Sequence, residues 1–313
     1  MTESERGIAL IIVLLVLALL LTVAGQFALA MRLEGTTTLN FRTAVTASYL
    51  AEAAYQRAVA EILPDSLAQY PDEGGLLVFR RARLESAAAP SRRDIVLGSG
   101  RFSYRITDEQ ARINLNRIQP DVLHRLLLEL GVDRAVRDVI ADSVLDWRDP
   151  NEEYRLNGAE SEYYTTLPVP YRSKNADFDA VEELLQVKGV TREIFYGGPD
   201  ARGLGEYLTV GGTGSTVNVN TASATVLRAL GLARAEVDVC IAGRPYLEGT
   251  LPVQCQRSGI GRTPSQYFRI EASGEVSGQG RRTLTAVVQR RGQAGVIRVV
   301  PLSWRWDPEE GRP

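Results

Sequence analysis

The sequence is poor in the side chains that most metal centres and hydrolytic sites require. Its 313 residues contain one histidine and two cysteines, so no histidine pair or cysteine cluster is available for zinc, and a Ser-His-Asp arrangement would have to use His124. The formal net charge is -2, which gives no reason to expect nucleic acid as a partner, because basic surfaces dominate such binding. We therefore predict that the protein is not an enzyme.

Charge is also missing from a long stretch near the amino terminus. Ile8 to Ala24 contains no charged residue, and such a segment can cross a bilayer as a helix, especially when it is extended to Ala30. Three interpretations are open: a signal peptide cleaved after Ala30, an ordinary membrane anchor, and a prepilin whose leader ends at Gly7. In the last case the apolar segment remains as the new amino terminus.

The residues that follow favour the prepilin interpretation. Met31 to Leu63 contains no proline and one glycine, and apolar residues recur at helical spacing, as at Phe41 and Val45. A continuous helix stopped by Pro64 would be about 80 Å long, and signal peptides are not normally followed by such a helix. We predict a leader at residues 1–7 and a long helix at 8–63, with 8–30 in the membrane.

The rest of the chain separates into sheet-like and helical parts. Residues 108–261 are mostly helical, and β-prone runs flank this block on both sides. Residues Ser277 to Gly280 predict a hairpin turn between two of the later runs. The predicted fold class is α+β, with the long N-terminal helix on an antiparallel sheet and a large α-helical domain inserted into the sheet. The predicted strands are 76–84, 94–97, 101–107, 267–276, 282–290 and 296–304, which divide the sheet into a first part at 64–107 and C-terminal strands at 262–313.

The inserted block contains an internal repeat. The pattern that begins with Asn114-Leu115-Asn116 recurs at Asn218-Val219-Asn220, offset by 104 residues, and each copy leads into a helix that stops at Gly131 or Gly231. We expect Asn116 or a close neighbour, and Asn220-Thr221, to cap these helices. Repeats starting near 113 and 217 predict two subdomains that resemble sterile-alpha-motif or helix-hairpin-helix modules.

Helix-hairpin-helix modules can bind DNA, and a third hairpin-like pattern at residues 179–191 is therefore a candidate nucleic-acid site. Its hairpin has one glycine, Gly189, where such modules commonly have two. Three carboxylates, Glu182, Glu183 and Glu193, add repulsive charge around it. Without a basic face the main source of affinity for DNA is missing. We expect no nucleic acid partner.

One acidic segment has the spacing of a cation-binding loop. Asp149, Asn151, Glu153 and Glu160 occupy the first, third, fifth and twelfth places of a twelve-residue stretch, a pattern that hard cations such as calcium use. The sixth place is Tyr154 rather than the glycine that an EF-hand needs. Two interpretations stay open: a calcium site in a differently folded loop, and a solvated acidic loop.

The two cysteines, Cys240 and Cys255, are separated by a stretch rich in glycine and proline. An even pair outside the cytosol predicts a disulfide. The alternative, two free thiols in a reducing compartment, would require the opposite membrane topology.

The amino terminus resembles the class III signal of type IV pilins and type II secretion pseudopilins, through Glu5-Arg6-Gly7 and the apolar segment behind it. That resemblance implies that a prepilin peptidase cleaves after Gly7 and methylates the amine of Ile8. Most members carry glutamate as the fifth mature residue, where this chain has Ile12. Because that carboxylate is thought to neutralise the amine of a neighbouring subunit, its replacement suits a subunit at the filament tip.

Further motifs resemble the K-type minor pseudopilin (GspK) family of type II secretion. The resemblance implies a pilin-like fold with an inserted α-domain that binds calcium. It also implies a single-pass inner-membrane protein with a periplasmic C-terminal domain, located with other minor pseudopilins at the tip of a filament of major pseudopilin. Alternatives are a minor pilin that primes a type IV pilus and a membrane-anchored helix-hairpin-helix protein that binds DNA. The motifs are Asp108–Asn116, Asp146–Asp149, Asn157–Glu160, Tyr163-Tyr164, Tyr171–Asn175, Glu183–Gly189 and Asn218–Ala222.

Overall fold

The chain begins with one long helix, α1, which spans Glu3–Ile62. It is the one helix within the described parts of the chain that is long and apolar enough to cross a membrane. Gly7 and Ile8 lie in its first turns, but their side chains fall outside the described residues, so cleavage and methylation stay predictions. The computed structural model describes residues 3–64, 66, 68–72, 76–80, 90–199, 201–212, 214–247, 249–261, 264–276, 280–293 and 296–307, with the side chains of these residues from 12 onward except that of Gln293.

A five-stranded antiparallel sheet follows α1, and smaller strand pairs accompany it. The strands are β1 (Ala68–Pro71), β2 (Leu77–Arg80), β3 (Ile95–Leu97), β4 (Gly100–Asp108), β5 (Ile113–Asn114), β6 (Gly197–Gly198), β7 (Ala201–Arg202), β8 (Leu208–Thr209), β9 (Tyr267–Val276), β10 (Gly280–Gln293) and β11 (Val296–Trp306). The order in the main sheet is β11-β10-β9-β4-β3, whereas β1 pairs with β2, β5 with β8 and β6 with β7.

The strands of the main sheet lie close to the predicted ranges. β10 extends past its predicted range at both ends. The predicted turn at Ser277 to Gly280 falls largely outside the described residues, although Gly280 pairs with Val276 as a hairpin requires. The first predicted strand is described only at Leu77–Arg80, because residues 81–89 are among those left out. Strand β1 was not predicted, since a run of four residues that ends in proline carries little β signal.

The second half of α1 packs closely on the main sheet. The alanines at 47, 51, 54 and 58 are fully buried on one helix face, and their spacing of three or four residues places them side by side. Gly274 of β9 lies directly beneath them: an added Cβ would lie 2.6 Å from the backbone nitrogen of Ala51 and would collide with the carbonyl oxygen of Ala47. Small residues on both surfaces therefore bring the helix backbone close to the strand backbone.

Most helices lie between β4 and β9, two strands that pair with each other. The helical block is thus an insertion into the sheet, with its own continuous apolar core. The long helix, the antiparallel sheet and the further helices confirm the predicted α+β fold class. The assignment of two sterile-alpha-motif-like subdomains stays a prediction. The helices of the insert are α2 (Pro120–Glu129), α3 (Arg134–Arg148), α4 (Ser161–Thr165), α5 (Arg192–Tyr196), α6 (Ala224–Ala229) and α7 (Arg234–Ala242).

The internal repeat is visible in three dimensions. Helices α2 and α6 begin 104 residues apart and pack against each other. Arg125 of α2 donates through Nε to the carbonyl oxygen of Ala229, the position equivalent to Arg125 in the second copy, at 2.7 Å. Both helices end in the same way, at Gly131 and Gly231 with positive φ angles of 74° and 95°, a backbone conformation that favours glycine.

The predicted helix caps are wrong, and the repeated asparagines have another role. Ser223 caps α6, and its hydroxyl accepts from the Val226 amide. Asn116 and Asn220 each precede their helix by four residues, which is too far for a cap. Instead, each amide holds a distant backbone segment with two hydrogen bonds: Asn116 contacts Phe178 at 2.7 and 2.9 Å, and Asn220 contacts Tyr246 at 2.8 Å twice.

A disulfide joins Cys240 of α7 to Cys255, which lies in a 3-10 turn at Val253–Cys255. Both residues are fully buried in the core of the insert. Their sequence separation is 15 residues. The bond therefore closes a loop that begins in α7, in the second copy of the repeat.

We predict that replacing both cysteines by alanine lowers the free energy of unfolding by about 3 kcal/mol, the value expected for a closed loop of this size. Urea unfolding of the purified protein in nonionic detergent measures this change. Adding reductant to the wild-type protein serves as an independent control and should produce a similar loss. An unchanged unfolding midpoint in both experiments would contradict a stabilising role for the bridge.

Candidate functional site

The first half of α1 is an exposed apolar surface. No charged residue occurs from Ile12 to Met31, and the side chain of Ile12 is 57% exposed. Exposing so many large apolar side chains to water is unfavourable, so an apolar environment such as the interior of a membrane suits this surface. Large exposed side chains occur at Leu14, Leu15, Leu17, Leu19, Leu20, Leu21, Phe27 and Leu29.

The four predicted calcium ligands differ in burial: three are half-buried or exposed, and one is buried. Asp149 follows α3 and forms an ion pair with Arg155 at 2.7 Å. Asn151 donates through Nδ2 to Asp149 at 2.6 Å, and Glu153 is exposed while its amide donates to Asn151 at 2.7 Å. Glu160 is separate from these three, because it is only 3% exposed. Within the described residues, no group of three or more His, Cys, Asp or Glu side chains has a geometry ready to hold a metal.

Glu160 is the chemically unusual residue of this loop. Both of its buried carboxylate oxygens are without a hydrogen-bond partner among the described residues. Burial raises its pKa to about 7, although the nearby hydroxyl of Ser173 acts to lower the pKa. The negative charges of Asp146, Glu152 and Asp149 act in the same direction as burial. A buried carboxylate in such surroundings favours either a proton or a cation.

Two further residues next to Glu160 were not singled out from the sequence. Glu152 accepts hydrogen bonds from the hydroxyl of Ser161 and the amide of Asn175, both at 3.0 Å. The other amide atom of Asn175, Oδ1, is buried without a partner in the described structure. Asn175 also has a positive φ of 50°, which asparagine tolerates better than most residues. Oxygen atoms of Glu160 and Asn175 thus lack a partner among the described residues, and Glu152 links the two segments that carry them.

Packing inside the loop fixes the position of its acidic residues. Asp146 is fully buried, and it accepts from the backbone and side chain of Arg155. Gly158 passes so close to the Asp146 carboxylate that an added Cβ would collide with it. Behind the loop, the ring of Trp147 contacts Tyr164 with ring centroids 5.3 Å apart. Aromatic rings therefore pack directly behind the acidic loop.

A second polar cluster lies where the insert joins the sheet. Asp108, the last residue of β4, is buried and accepts from Thr221 and Ser265 at 2.6 Å and from Asn218 at 2.9 Å. Burial raises its pKa, while these hydrogen bonds oppose the rise. The chain leaves the sheet at Asp108 and returns to it just after Ser265. The Asp108 carboxylate therefore joins the two places where the insert is connected to the sheet.

The neighbouring carboxylate, Glu109, is also buried at this junction. It pairs with Arg112, accepts from Arg269 of β9 at 2.6 Å and accepts from Thr209 of β8 at 2.5 Å. Burial acts to raise its pKa, but the two guanidinium groups outweigh burial and lower the pKa. The insert is therefore attached to the sheet by the ion-paired carboxylate of Glu109 beside the hydrogen-bond network of Asp108.

Comparison with known proteins gives consistent similarities. Residues 105–196 match the family model described as type II secretion system (T2SS), protein K. A type II secretion system protein K from Pseudomonas aeruginosa is 26% identical, and the match covers 96% of this chain and 93% of that protein. One from Pectobacterium carotovorum subsp. carotovorum is 30% identical, and a putative one from Escherichia coli K12 is 27% identical; in both cases the chain spans 61% of the relative's length.

The fold is also similar to a solved structure. The chain matches the crystal structure of the GspK-GspI-GspJ complex from the type 2 secretion system of enterotoxigenic Escherichia coli with a TM-score of 0.62 and 17% sequence identity. The match covers 89% of this chain and 99% of that one. At this identity the similarity concerns the fold.

Proposed function

Because the chain belongs to the type II secretion system protein K family, we propose that it is a minor pseudopilin at the tip of a type II secretion pseudopilus. There it initiates or caps assembly and supports protein export across the outer membrane. The observation that carries this proposal is a single 60-residue helix whose first half is apolar and exposed and whose second half is fastened to a sheet. Such a helix suits storage in a membrane followed by packing into a filament core.

The tip position rests on two features. The apolar residue at Ile12 lacks the carboxylate with which most pilins neutralise a neighbour's amine. The helical insert adds a large domain to the sheet, which would obstruct another subunit above it. Because the similar solved structure is a complex of GspK with GspI and GspJ, we propose other minor pseudopilins as partners at the tip, with the major pseudopilin below. The protein has a structural role in this proposal, not an enzymatic one.

The proposed topology places residues 8–30 of α1 in the inner membrane and the rest of the chain after them in the periplasm. Processing by a prepilin peptidase would remove residues 1–7 and methylate Ile8. The disulfide between Cys240 and Cys255 supports this orientation, since such bonds persist in oxidising compartments. A C-terminal alkaline phosphatase fusion should be active in cells if the topology is right, and inactive if the domain is cytoplasmic.

Deletion of the gene, with complementation, tests the function. We expect the deletion to abolish accumulation of exported proteins in the medium while leaving type IV pili intact. Loss of pili with normal secretion would favour a minor pilin that primes a type IV pilus. Loss of DNA uptake with normal secretion and normal pili would favour the DNA-binding alternative.

We also propose that the acidic loop binds calcium, with Glu160 as the central ligand. The unsatisfied oxygens of Glu160 and Asn175, beside the carboxylate of Glu152, suit a hard cation that prefers oxygen ligands. Asp149 and Asn151 lie on the outer side of the same loop and Glu153 is exposed. A bound cation would neutralise the buried charge and tie the loop to the segment around Asn175.

Calcium is predicted to stabilise the protein by about 3 kcal/mol at a hundredfold excess over its dissociation constant. Thermal unfolding with calcium and with a chelator, at a pH well above 7 so that Glu160 is ionised, measures this effect. Glu160→Gln should remove the calcium dependence, whereas the control Glu193→Gln, at an exposed position outside the loop, should retain it. Equal midpoints for the wild-type protein with and without calcium would contradict the site.

A further inference from the structure

A polar trough crosses the face of the main sheet that is turned away from α1. Side chains alternate along a strand, so the residues between the buried ones of β4 and β9 point away from the helix. The strand register aligns Ser103 with Ser273, and Ser273 with Thr283. These three hydroxyl side chains form the floor of a cavity of about 560 Å³. Because they are small, the floor leaves the sheet surface open to another chain.

Exposed arginines stand around this floor. Arg93, Arg105 and Arg281 line the trough from three different segments, and Glu271 is the one carboxylate among its described lining residues. Arg101 lies on the same face but is already paired with Glu275 at 2.8 Å, and it does not line the trough. The trough therefore carries a local excess of positive charge on a protein whose net charge is -2.

A fourth arginine forms part of the wall. Arg92 is 2% exposed and donates through Nε to Glu61 at 3.1 Å and through Nη2 to the carbonyl oxygen of Leu77 at 2.6 Å. Its remaining nitrogen, Nη1, is buried and finds no acceptor among the described residues. The guanidinium also lies over the ring of Tyr104, which belongs to the core between α1 and the sheet. Arg92 therefore directs its charge toward α1, and the exposed arginines alone supply the positive charge of the trough.

We propose that this trough binds an extended acidic segment of a partner protein. Guanidinium groups bind carboxylates with two parallel hydrogen bonds, and the arginines here are spread along a channel rather than clustered at one point. The hydroxyl floor can donate to and accept from a peptide backbone laid across it. Glu271 beside Arg105 would disfavour a segment with its acidic residue at that end, which gives the site a direction.

The position of the trough favours a protein over a lipid surface. Arg92 is attached to Glu61, near the end of α1, and the helix places Glu61 about 45 Å from Ala30, where the proposed membrane segment ends. Three exposed arginines and one carboxylate also provide fewer phosphate contacts than typical DNA-binding surfaces use. The inference adds to the proposed function and depends on it only for the location of the membrane.

Fluorescence anisotropy of a labelled peptide of alternating glutamate and serine tests the proposal with the full-length protein in nonionic detergent. We expect the peptide to bind, and the double variant Arg105→Gln/Arg281→Gln to weaken binding by about tenfold or more. The matched control is Arg134→Gln/Arg234→Gln, which removes the same charge from two exposed arginines of the insert. Binding to the control should stay within about twofold of wild type.

Several outcomes would overturn the proposal. Absence of peptide binding would do so, as would equal weakening by both double variants, which would indicate a general charge effect. Stronger binding of short DNA or of vesicles with anionic lipids than of the peptide would assign the trough to another class of ligand. Because binding is measured on purified protein, a failure here leaves the secretion phenotype of the gene deletion as a separate test of the proposed function.

Discussion

Replacing Gly274 by valine is expected to lower the free energy of unfolding by about 3 kcal/mol, at the upper end for an overpacked site. An added Cβ at this position would lie 2.6 Å from both the Ala51 nitrogen and the Leu50 Cβ. The first atom is part of the α1 backbone and the second is bonded directly to it. The helix cannot yield locally. The whole helix must move away from the sheet, and this movement exposes the alanine face of the helix to water.

Tryptophan fluorescence during urea unfolding in nonionic detergent measures this loss. Trp304 reports on the affected contact, since its ring meets that of Tyr55 of α1 with centroids 4.7 Å apart. Gly292→Val is the matched control, because Gly292 also lies in a strand but has no atom within 4 Å of an added Cβ. If Gly274→Val and Gly292→Val both unfold at the same urea concentration as wild type, the close contact between α1 and the main sheet does not stabilise the protein.

The second large effect is expected at Asp108. Asp108→Ala would leave the buried amide of Asn218, the buried hydroxyl of Ser265 and the half-buried hydroxyl of Thr221 without their shared acceptor. Each unsatisfied buried donor costs about 1 to 3 kcal/mol, so we expect a total loss of about 3 kcal/mol or more. The attachment of the insert to the sheet should weaken before the core of the insert does.

Urea unfolding gives the total loss, and hydrogen exchange at the amides around Gln110 and Ser265 locates it. Asp108→Asn keeps the shape and one acceptor oxygen, so it should lose less than the alanine variant. Asp238→Ala, at an exposed position of α7, should change stability by no more than about 0.5 kcal/mol. Equal losses of stability in Asp108→Ala and Asp238→Ala would contradict the role of Asp108 in attaching the insert to the sheet.

Patterns local in sequence predicted most of the fold. Helical periodicity and the absence of proline indicated α1 to within one residue of its end at Ile62, because a helix is made of contacts three and four residues apart. The insertion could be recognised because β-prone runs stood on either side of a helical block. Even the duplication was visible, since the Asn-x-Asn pattern repeats with a constant offset.

Long-range contacts could not be predicted in the same way. Asn116 was expected to cap a helix, yet its partner is the backbone of Phe178, 62 residues away. In the acidic loop, the twelve-residue spacing indicated Glu160 but passed over Glu152, which occupies an even position, and Asn175, which reaches the loop only through folding. Asp108 was predicted as the first residue of the insert, but its hydrogen-bonding role was not, because its side-chain donors come from two other segments of the chain.

The central claim is that α1 is the stem of a pseudopilin, and the mature amino terminus tests it most directly. Mass spectrometry of the protein purified from cells with and without a prepilin peptidase determines that terminus. The account predicts N-methylated Ile8 when the peptidase is present and an intact leader when it is absent. A mature protein that begins at Met31 in both strains, as a signal peptidase would leave it after cutting behind Ala30, would contradict the account.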